Sequence, residues 1–192
     1  HNREPWDRGV FRRSQGARRK VNTTCFQQEG EAVIPTTVNG ESWTSLSHFL
    51  SQTEDNLVMA QEIKVSEDYL EGVRGWCKVN GWECIVHGGE KDPDTGRTGA
   101  GVAIFARGQV ALAPLKIEWR TSTRPRAILG SINAVVKGGI IVGSLYLHTG
   151  EGMTERNWQI ILDVAAHLAK MGRPFILGGD FNNPSAVIAA MG

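Results

Sequence analysis

Apolar and polar positions along the chain fall into two patterns. Short apolar runs bounded by Gly, Pro, Asn or Asp predict strands, and apolar residues three and four apart predict amphipathic helices. Glu31–Val38, with Val33, Ile34 and Val38 set among threonines, predicts a first strand, and Pro35 points to an edge or an irregular start. Asn39-Gly40 turns the chain. Trp43, Leu46, Phe49 and Leu50 recur at helical spacing and predict a short helix over residues 43–52. Leu57 to Ala60 is a compact apolar run, predicting a strand over Asn56–Gln61 that ends at Gln61-Glu62. Leu70, Val73 and Trp76 predict a second helix from Glu67 to Val79, with Gly72 and Gly75 working against it.

Trp82–Val86 and Val102–Ala106 predict strands on either side of a polar loop, Gly88 to Gly99. Val110–Trp119 predicts a less regular strand containing Pro114. Arg126–Val136 and Ile140–Leu147 predict a hairpin across Lys137-Gly138-Gly139. Ile128, Ser131, Ile132, Ala134 and Val135 would pair against Ile140, Val142, Leu145 and Leu147. The strongest helix runs from Thr154, as N-cap, to Lys170, with Trp158, Ile161, Leu162, Ala165 and Leu168 as its buried stripe. Gly172 and Pro174 stop it, and Phe175, Ile176 and Leu177 form a last strand running into Gly178-Gly179-Asp180-Phe181-Asn182. Crossovers mixed with a hairpin fit a layered α/β sandwich of mixed sheets and not an all-parallel sheet.

Composition narrows the class. A chain of 192 residues suffices for one domain with a substantial core. Net charge is only +1, but residues 1–20 hold Arg3, Arg8, Arg12, Arg13, Arg18, Arg19 and Lys20 against Glu4 and Asp7. Residues 1–30 therefore read as a basic flexible arm, a solvated tail by default and a candidate contact for phosphates. Three cysteines without a C-x-x-C pair read as reduced, intracellular thiols, and Cys84 with His87 lacks the partners of a zinc site. No apolar run approaches membrane-spanning length. Gly99-Ala-Gly101 lacks a third glycine and leads into a strand, and no Walker lysine follows a glycine loop, which disfavours a nucleotide cofactor.

Polar groups collect where strands end. Asp180 and Asn182 stand two apart, so in extended chain both face one spot. Two readings are open for them: an Asx turn closing a strand, or an acid and an amide holding a metal or a water beside a phosphate. Asn39, Glu62, Tyr146 and His148 lie at or just past the ends of other strands. Each has an ordinary reading as turn residue, solvated carboxylate, core aromatic or loop histidine. Among them, hard oxygen ligands such as Glu62 suit Mg²⁺ or Mn²⁺.

Taken in order, these residues resemble the exonuclease–endonuclease–phosphatase superfamily, which includes abasic-site endonucleases, inositol-polyphosphate phosphatases and the endonucleases of non-LTR retrotransposons. Val38-Asn39-Gly40 is similar to its first-strand motif, Val58-Met-Ala-Gln-Glu-Ile-Lys64 to its Gln-Glu strand, and Gly99-Ala-Gly-Val-Ala-Ile-Phe105 to its Gly-Val-Ala-Ile strand. Leu145-Tyr-Leu-His148 is similar to the Tyr-x-Pro strand and Gly178-Gly-Asp-Phe-Asn182 to the Gly-Asp-Phe-Asn signature; Ser-Trp-Thr-Ser-Leu after the first motif looks most like the retrotransposon type. The resemblance covers roughly residues 31–184 and implies a four-layered α/β/β/α sandwich.

It also implies roles: Glu62 as Mg²⁺ (or Mn²⁺) ligand with Asn39 as ligand or phosphate contact, Tyr146 on the scissile phosphate, Asp180 on the attacking water, and Asn182 holding Asp180's surroundings or the phosphate; His148, just past Tyr146, is a further candidate substrate contact. Three departures stand out. Thr37 occupies a position where the family usually has Asn, His148 replaces a proline, and the family's later Ser-Asp-His motif is absent from the sequence. The chain is thus expected to be a C-terminally truncated sandwich, residues 31–192, inactive by itself. The expected parent activity is metal-dependent phosphodiester hydrolysis, most simply by a DNA endonuclease. A catalytically incomplete binding module and a phosphatase of small molecules or lipids are the alternatives.

Overall fold

The computed structural model describes residues 22–23, 33–133 and 137–182. The elements are β1 (Asn22–Thr23), β2 (Pro35–Asn39), α1 (Trp43–Gln52), β3 (Leu57–Gln61), α2 (Leu70–Val79), β4 (Trp82–His87), β5 (Glu90–Lys91), β6 (Thr98–Gly99), β7 (Val102–Arg107), β8 (Leu112–Pro114), β9 (Ala127–Ile132), β10 (Ile140–Tyr146), α3 (Glu155–Met171) and β11 (Phe175–Asp180). Two mixed sheets result, one in the order β1-β2-β3-β7-β4 and the other β11-β10-β9-β8. β5 and β6 form a small separate ribbon inside the loop expected at residues 88–99.

The period of two along the central strands builds the layers. On β7, Ala103 and Phe105 face α1 and α2, where Leu46, Leu50, Val73 and Cys77 complete one core. Val102, Ile104 and Ala106 face the other way, onto Ile128, Ile132, Ile140 and Val142 of the second sheet. Ile141, Leu145 and Leu147 turn from that sheet to α3, against Ile160, Val164 and Leu168. The order is helices, sheet, sheet, helix, the expected four-layered α/β/β/α sandwich. Because β10 is buried along its whole length, its side chains serve two cores, as a strand between layers must.

Several expectations need correction. Val110–Trp119 contributes only the three residues of β8, since Pro114 gives up a ladder donor. β2 starts at Pro35, and β1 pairs only with Thr36 and Thr37, so the proline's missing N–H breaks no bond to β1. Thr154 sits in extended conformation at the N-cap of α3, but its hydroxyl bonds Glu151 at 3.4 Å and caps nothing. The buried face of α3 is Asn157, Ile160, Val164 and Leu168; Trp158 and Leu162 are exposed. Apolar residues cover more than half of the helix circumference, so two adjacent stripes satisfied the same period. Trp158, Ile161 and Ala165 instead border an apolar groove of about 620 Å³ shared with Phe175 and Leu177 of β11 and with Phe181. The hairpin register is Ile132 opposite Ile140; Ala134 and Val135 lie outside the described residues. So does the basic arm of residues 1–30, apart from β1. Among the described residues no helix is long and apolar enough to cross a membrane.

Candidate active site

The parallel pairs β2–β3 and β10–β11 bring their carboxyl ends to one edge of the sandwich. Asn39 is in register with Gln61, and Tyr146 with Asp180. Two side-chain bridges cross between the sheets at this edge. Asn39 Nδ2 donates to Asp180 Oδ2 at 3.3 Å, and the Tyr146 hydroxyl donates to Glu62 Oε1. Residues 39, 62, 146 and 180, far apart in sequence, are thereby joined pairwise, each pair spanning both sheets.

The local backbone explains how each group arrives. Gly40 N–H donates to Gln61 carbonyl at 2.7 Å, and Ser42 caps α1 by accepting Ser45 N–H at 3.2 Å, so the chain turns away directly after Asn39. Glu62 and Lys64 both have positive φ, 51° each, a conformation costing a non-glycine residue about 1 kcal/mol or more. Burial of Ile63 between them, with Ile63 N–H on Gly101 carbonyl and Lys64 N–H on Ala100 carbonyl, holds this conformation. It lifts Glu62 out of the strand direction to reach Tyr146, while Lys64 Nζ stands 3.7 Å from Glu62 Oε2. Gly178 lets β11 approach the first sheet, since a Cβ there would lie 2.8 Å from Met59 Cε and 3.0 Å from Thr37 Cβ.

Asp180 divides its oxygens. Oδ2 takes Asn39; Oδ1 accepts the N–H of Asn182 at 3.0 Å, forming an Asx turn. Asn182 has φ 49° and sends its amide to Leu147 carbonyl at 2.7 Å, away from the spot that an extended i, i+2 pair would share. Asp180 thus closes an Asx turn with one oxygen and meets Asn39 of the other sheet with the second. Asn39 accepts Glu41 N–H at 3.1 Å on its amide oxygen, which keeps a second lone pair.

Tyr146 is buried, and that burial, followed by the hydrogen bond to the Glu62 carboxylate, pushes its phenol up to about 12. Thr149 and Arg126 pull the other way. The phenol is a neutral donor at ordinary pH. His148 is buried rather than presented: its N–H and carbonyl are both held by Asn157, at 2.8 and 3.3 Å, and its ring meets Glu151 at 3.7 Å. Burial first, then the charges of Arg126 and Arg156, push its imidazole down to about 4, against the pull of Glu151.

Sequence reading missed the polar bonds beneath the site. Gln61 Nε2 donates to Ser144 Oγ and Ser144 Oγ to Ala60 carbonyl, both at 2.8 Å and both buried between the sheets. The available signal was Ser144 itself, a polar residue inside an apolar strand. Asn157 is a polar residue on a buried helix face and carried the same kind of signal.

The donor set suits a hard divalent cation. Glu62 offers one carboxylate with its side chain 21% exposed, and Asn39 an amide oxygen. Among the described residues no group of three or more His, Cys, Asp or Glu could hold a metal. Magnesium-type sites need no such group, because waters and substrate phosphate complete the shell around one or two carboxylates. Of the pair Cys84 and His87, His87 Nδ1 lies at the carbonyls of Arg124 and Ala127, at 2.9 and 3.0 Å.

The model of the Endonuclease/Exonuclease/phosphatase family matches residues 38–186, which contain all of these strand ends. The chain belongs to this family. No curated protein matches it. Among solved structures, a D. rerio TDP2 humanized by 14 mutations is 16% identical, with TM-score 0.50, covering 78% of this chain and 62% of its own. The AP endonuclease LMAP from Leishmania major is 14% identical at TM-score 0.50, covering 70% and 48%. ANGEL2, a 2',3'-cyclic phosphatase, is 19% identical at TM-score 0.48, covering 73% and 42%. At such identity the likeness establishes the fold alone, and the chain spans less than two thirds of each of these proteins.

Proposed function

We propose that this edge is the metal- and water-handling part of a phosphodiesterase acting on DNA. The observation that carries the reading is the pair of cross-sheet bridges, Asn39–Asp180 and Tyr146–Glu62, made by four strand ends. The DNA-directed neighbours, a TDP2 complexed with single-strand DNA product and the AP endonuclease, favour this substrate over a small phosphorylated molecule. Glu62 would hold Mg²⁺ or Mn²⁺, with the free lone pair of Asn39 Oδ1 toward the same ion or the phosphate. Such an ion, when bound, offsets charge on the phosphoryl and leaving oxygens. Asp180, a carboxylate fixed by Asn39 and Asn182 N–H, would orient and deprotonate the attacking water. Tyr146, a neutral donor, would hydrogen-bond a phosphate oxygen, and Asn182 would keep the Asp180 loop in place. His148 supports the loop after β10 from within, where its neutral ring keeps charge out of a buried position.

The resemblance assigns an Asp and a His of a Ser-Asp-His motif to the same reaction, and this sequence does not contain that motif. Hydrolysis therefore requires an Asp and a His that complete the set, and nicking is read on a protein that contains them. The test is nicking of supercoiled plasmid with Mg²⁺ beside phosphate release from inositol phosphates. Asp180→Ala should lower nicking by about 10²-fold or more. Nicking that survives Asp180→Ala overturns the assignment, and phosphate release without nicking favours the phosphatase reading.

A further inference from the structure

Arg126 precedes β9, and its carbonyl accepts Tyr146 N–H at 2.8 Å. Its guanidinium carbon lies 5.2 Å from the centre of the Tyr146 ring, the ring whose hydroxyl reaches Glu62. The side chain is half-buried, and Nε is shut off from solvent with no hydrogen-bond partner. Among the described residues its guanidinium makes no ion pair. Other arginines spend their charge: Arg74, Arg124 and Arg156 pair with carboxylates, and Arg120 with the Gln159 side chain. Arg173 also has a buried unpartnered Nε, but its terminal nitrogen donates to Ser131 and to Gly138 carbonyl. Arg126 has no such outlet. Glu90 and Glu151 act on it only through space.

A guanidinium held half out of water without an acceptor is costly, and it is suited to an anion that binds through two oxygens. The anions this site would receive are phosphate oxygens. Resting on the phosphodiesterase reading, we infer that Arg126 is the phosphate-gripping residue of the site, pairing with non-bridging oxygens of a nucleic-acid phosphodiester that Tyr146 also contacts. The Tyr146 ring keeps the planar guanidinium from swinging away, which fixes its fork before substrate arrives. Glu62 and Asp180, both anionic, would otherwise repel the diester, and Arg126 supplies charge of the opposite sign beside them.

The test measures binding and needs no turnover. The full chain is titrated with inorganic phosphate and, separately, with a short single-stranded DNA oligonucleotide, as wild type, Arg126→Gln and Arg126→Met. The methionine keeps an unbranched stem against the Tyr146 ring, so a variant that folds is available if the glutamine fails, and urea unfolding checks each. Loss of a charged hydrogen-bonding partner should weaken both probes about tenfold to a hundredfold. Oligonucleotide affinity should also fall less steeply with added salt, the log–log slope shrinking by about 0.7 for the one phosphate that Arg126 neutralises. No phosphate binding by wild type, or binding unchanged within twofold in a folded variant, overturns the inference. Weakened phosphate with unchanged oligonucleotide binding overturns the diester as its ligand and leaves a free or terminal phosphate. Mn²⁺ binding by wild type and Glu62→Gln reports on the phosphodiesterase reading separately, so a failed Arg126 assignment is distinguishable from a failed reading of the site.

Discussion

Ser144→Ala probes the polar bonds that set the spacing of the two sheets. Ser144 and Gln61 are 0% and 1% exposed, so neither can turn to water when its partner goes. The hydroxyl accepts from Gln61 Nε2 and donates to Ala60 carbonyl, both at 2.8 Å. Alanine removes both bonds and leaves one Nε2 hydrogen of Gln61 without an acceptor, while the other stays on Met59 carbonyl at 3.1 Å. An unsatisfied buried donor costs about 1–3 kcal/mol, so a loss of about 2 kcal/mol is expected. For a domain of this size that is about 4–8 °C in Tm. Gln61 precedes Glu62 and Ser144 lies two before Tyr146, so the same change should loosen the Glu62–Tyr146 bridge. Urea unfolding of the chain should show a lower midpoint at unchanged slope. Adding Gln61→Met replaces both partners by apolar groups and should recover about 1 kcal/mol relative to additivity. A Ser144→Ala chain within 0.5 kcal/mol of wild type, or strictly additive variants, would refute this account of the sheet interface.

The remaining expectations are brief. His148 has its imidazole pushed from 6.5 to about 4, so the unfolded chain takes up a proton first as pH falls. Its contribution should be intact above pH 6.5 and disappear progressively down to pH 4, by at most about 3 kcal/mol; His148→Gln should flatten that part of a stability-against-pH curve. Tyr146→Phe should leave the Glu62 carboxylate without its donor and lower nicking, where the catalytic set is complete, about tenfold or more while shifting stability by about 1 kcal/mol, read from paired rate and unfolding measurements. Asn39→Ala should free Asp180 Oδ2 and reduce nicking more than Asn182→Gly, whose amide serves only the loop; the reverse order would reverse their roles.

Much of the architecture was legible because burial on two faces leaves unmistakable runs, such as Val102–Ala106 and Ile140–Leu147. Helix α1 was readable to the residue, since its apolar spacing begins right after Asn39-Gly40. The face of α3 was not, because Trp158, Ile160, Ile161, Leu162 and Val164 satisfy two stripes and only the packed partner chooses between them. That Asn39, Glu62, Tyr146 and Asp180 stand at strand ends was legible, yet their pairing across sheets depends on register that no local pattern encodes. The shared facing expected of Asp180 and Asn182 fails because a left-handed residue at 182 breaks the period-two geometry. Arg126 escaped notice because an arginine before a strand is ordinary until its lack of a partner can be seen.

Manganese binding to Glu62 tests the central claim most directly, because it asks whether this edge holds a divalent ion before any chemistry occurs. The chain is titrated with Mn²⁺ and the free ion followed by electron paramagnetic resonance, in wild type and Glu62→Gln, with Mg²⁺ as competitor. One Mg²⁺-displaceable site per chain, weakened about tenfold or more by Glu62→Gln in a normally folded variant, is the predicted result. Equal binding by both chains, or none by either, would contradict the reading of these strand ends as a metal-assisted phosphodiesterase site.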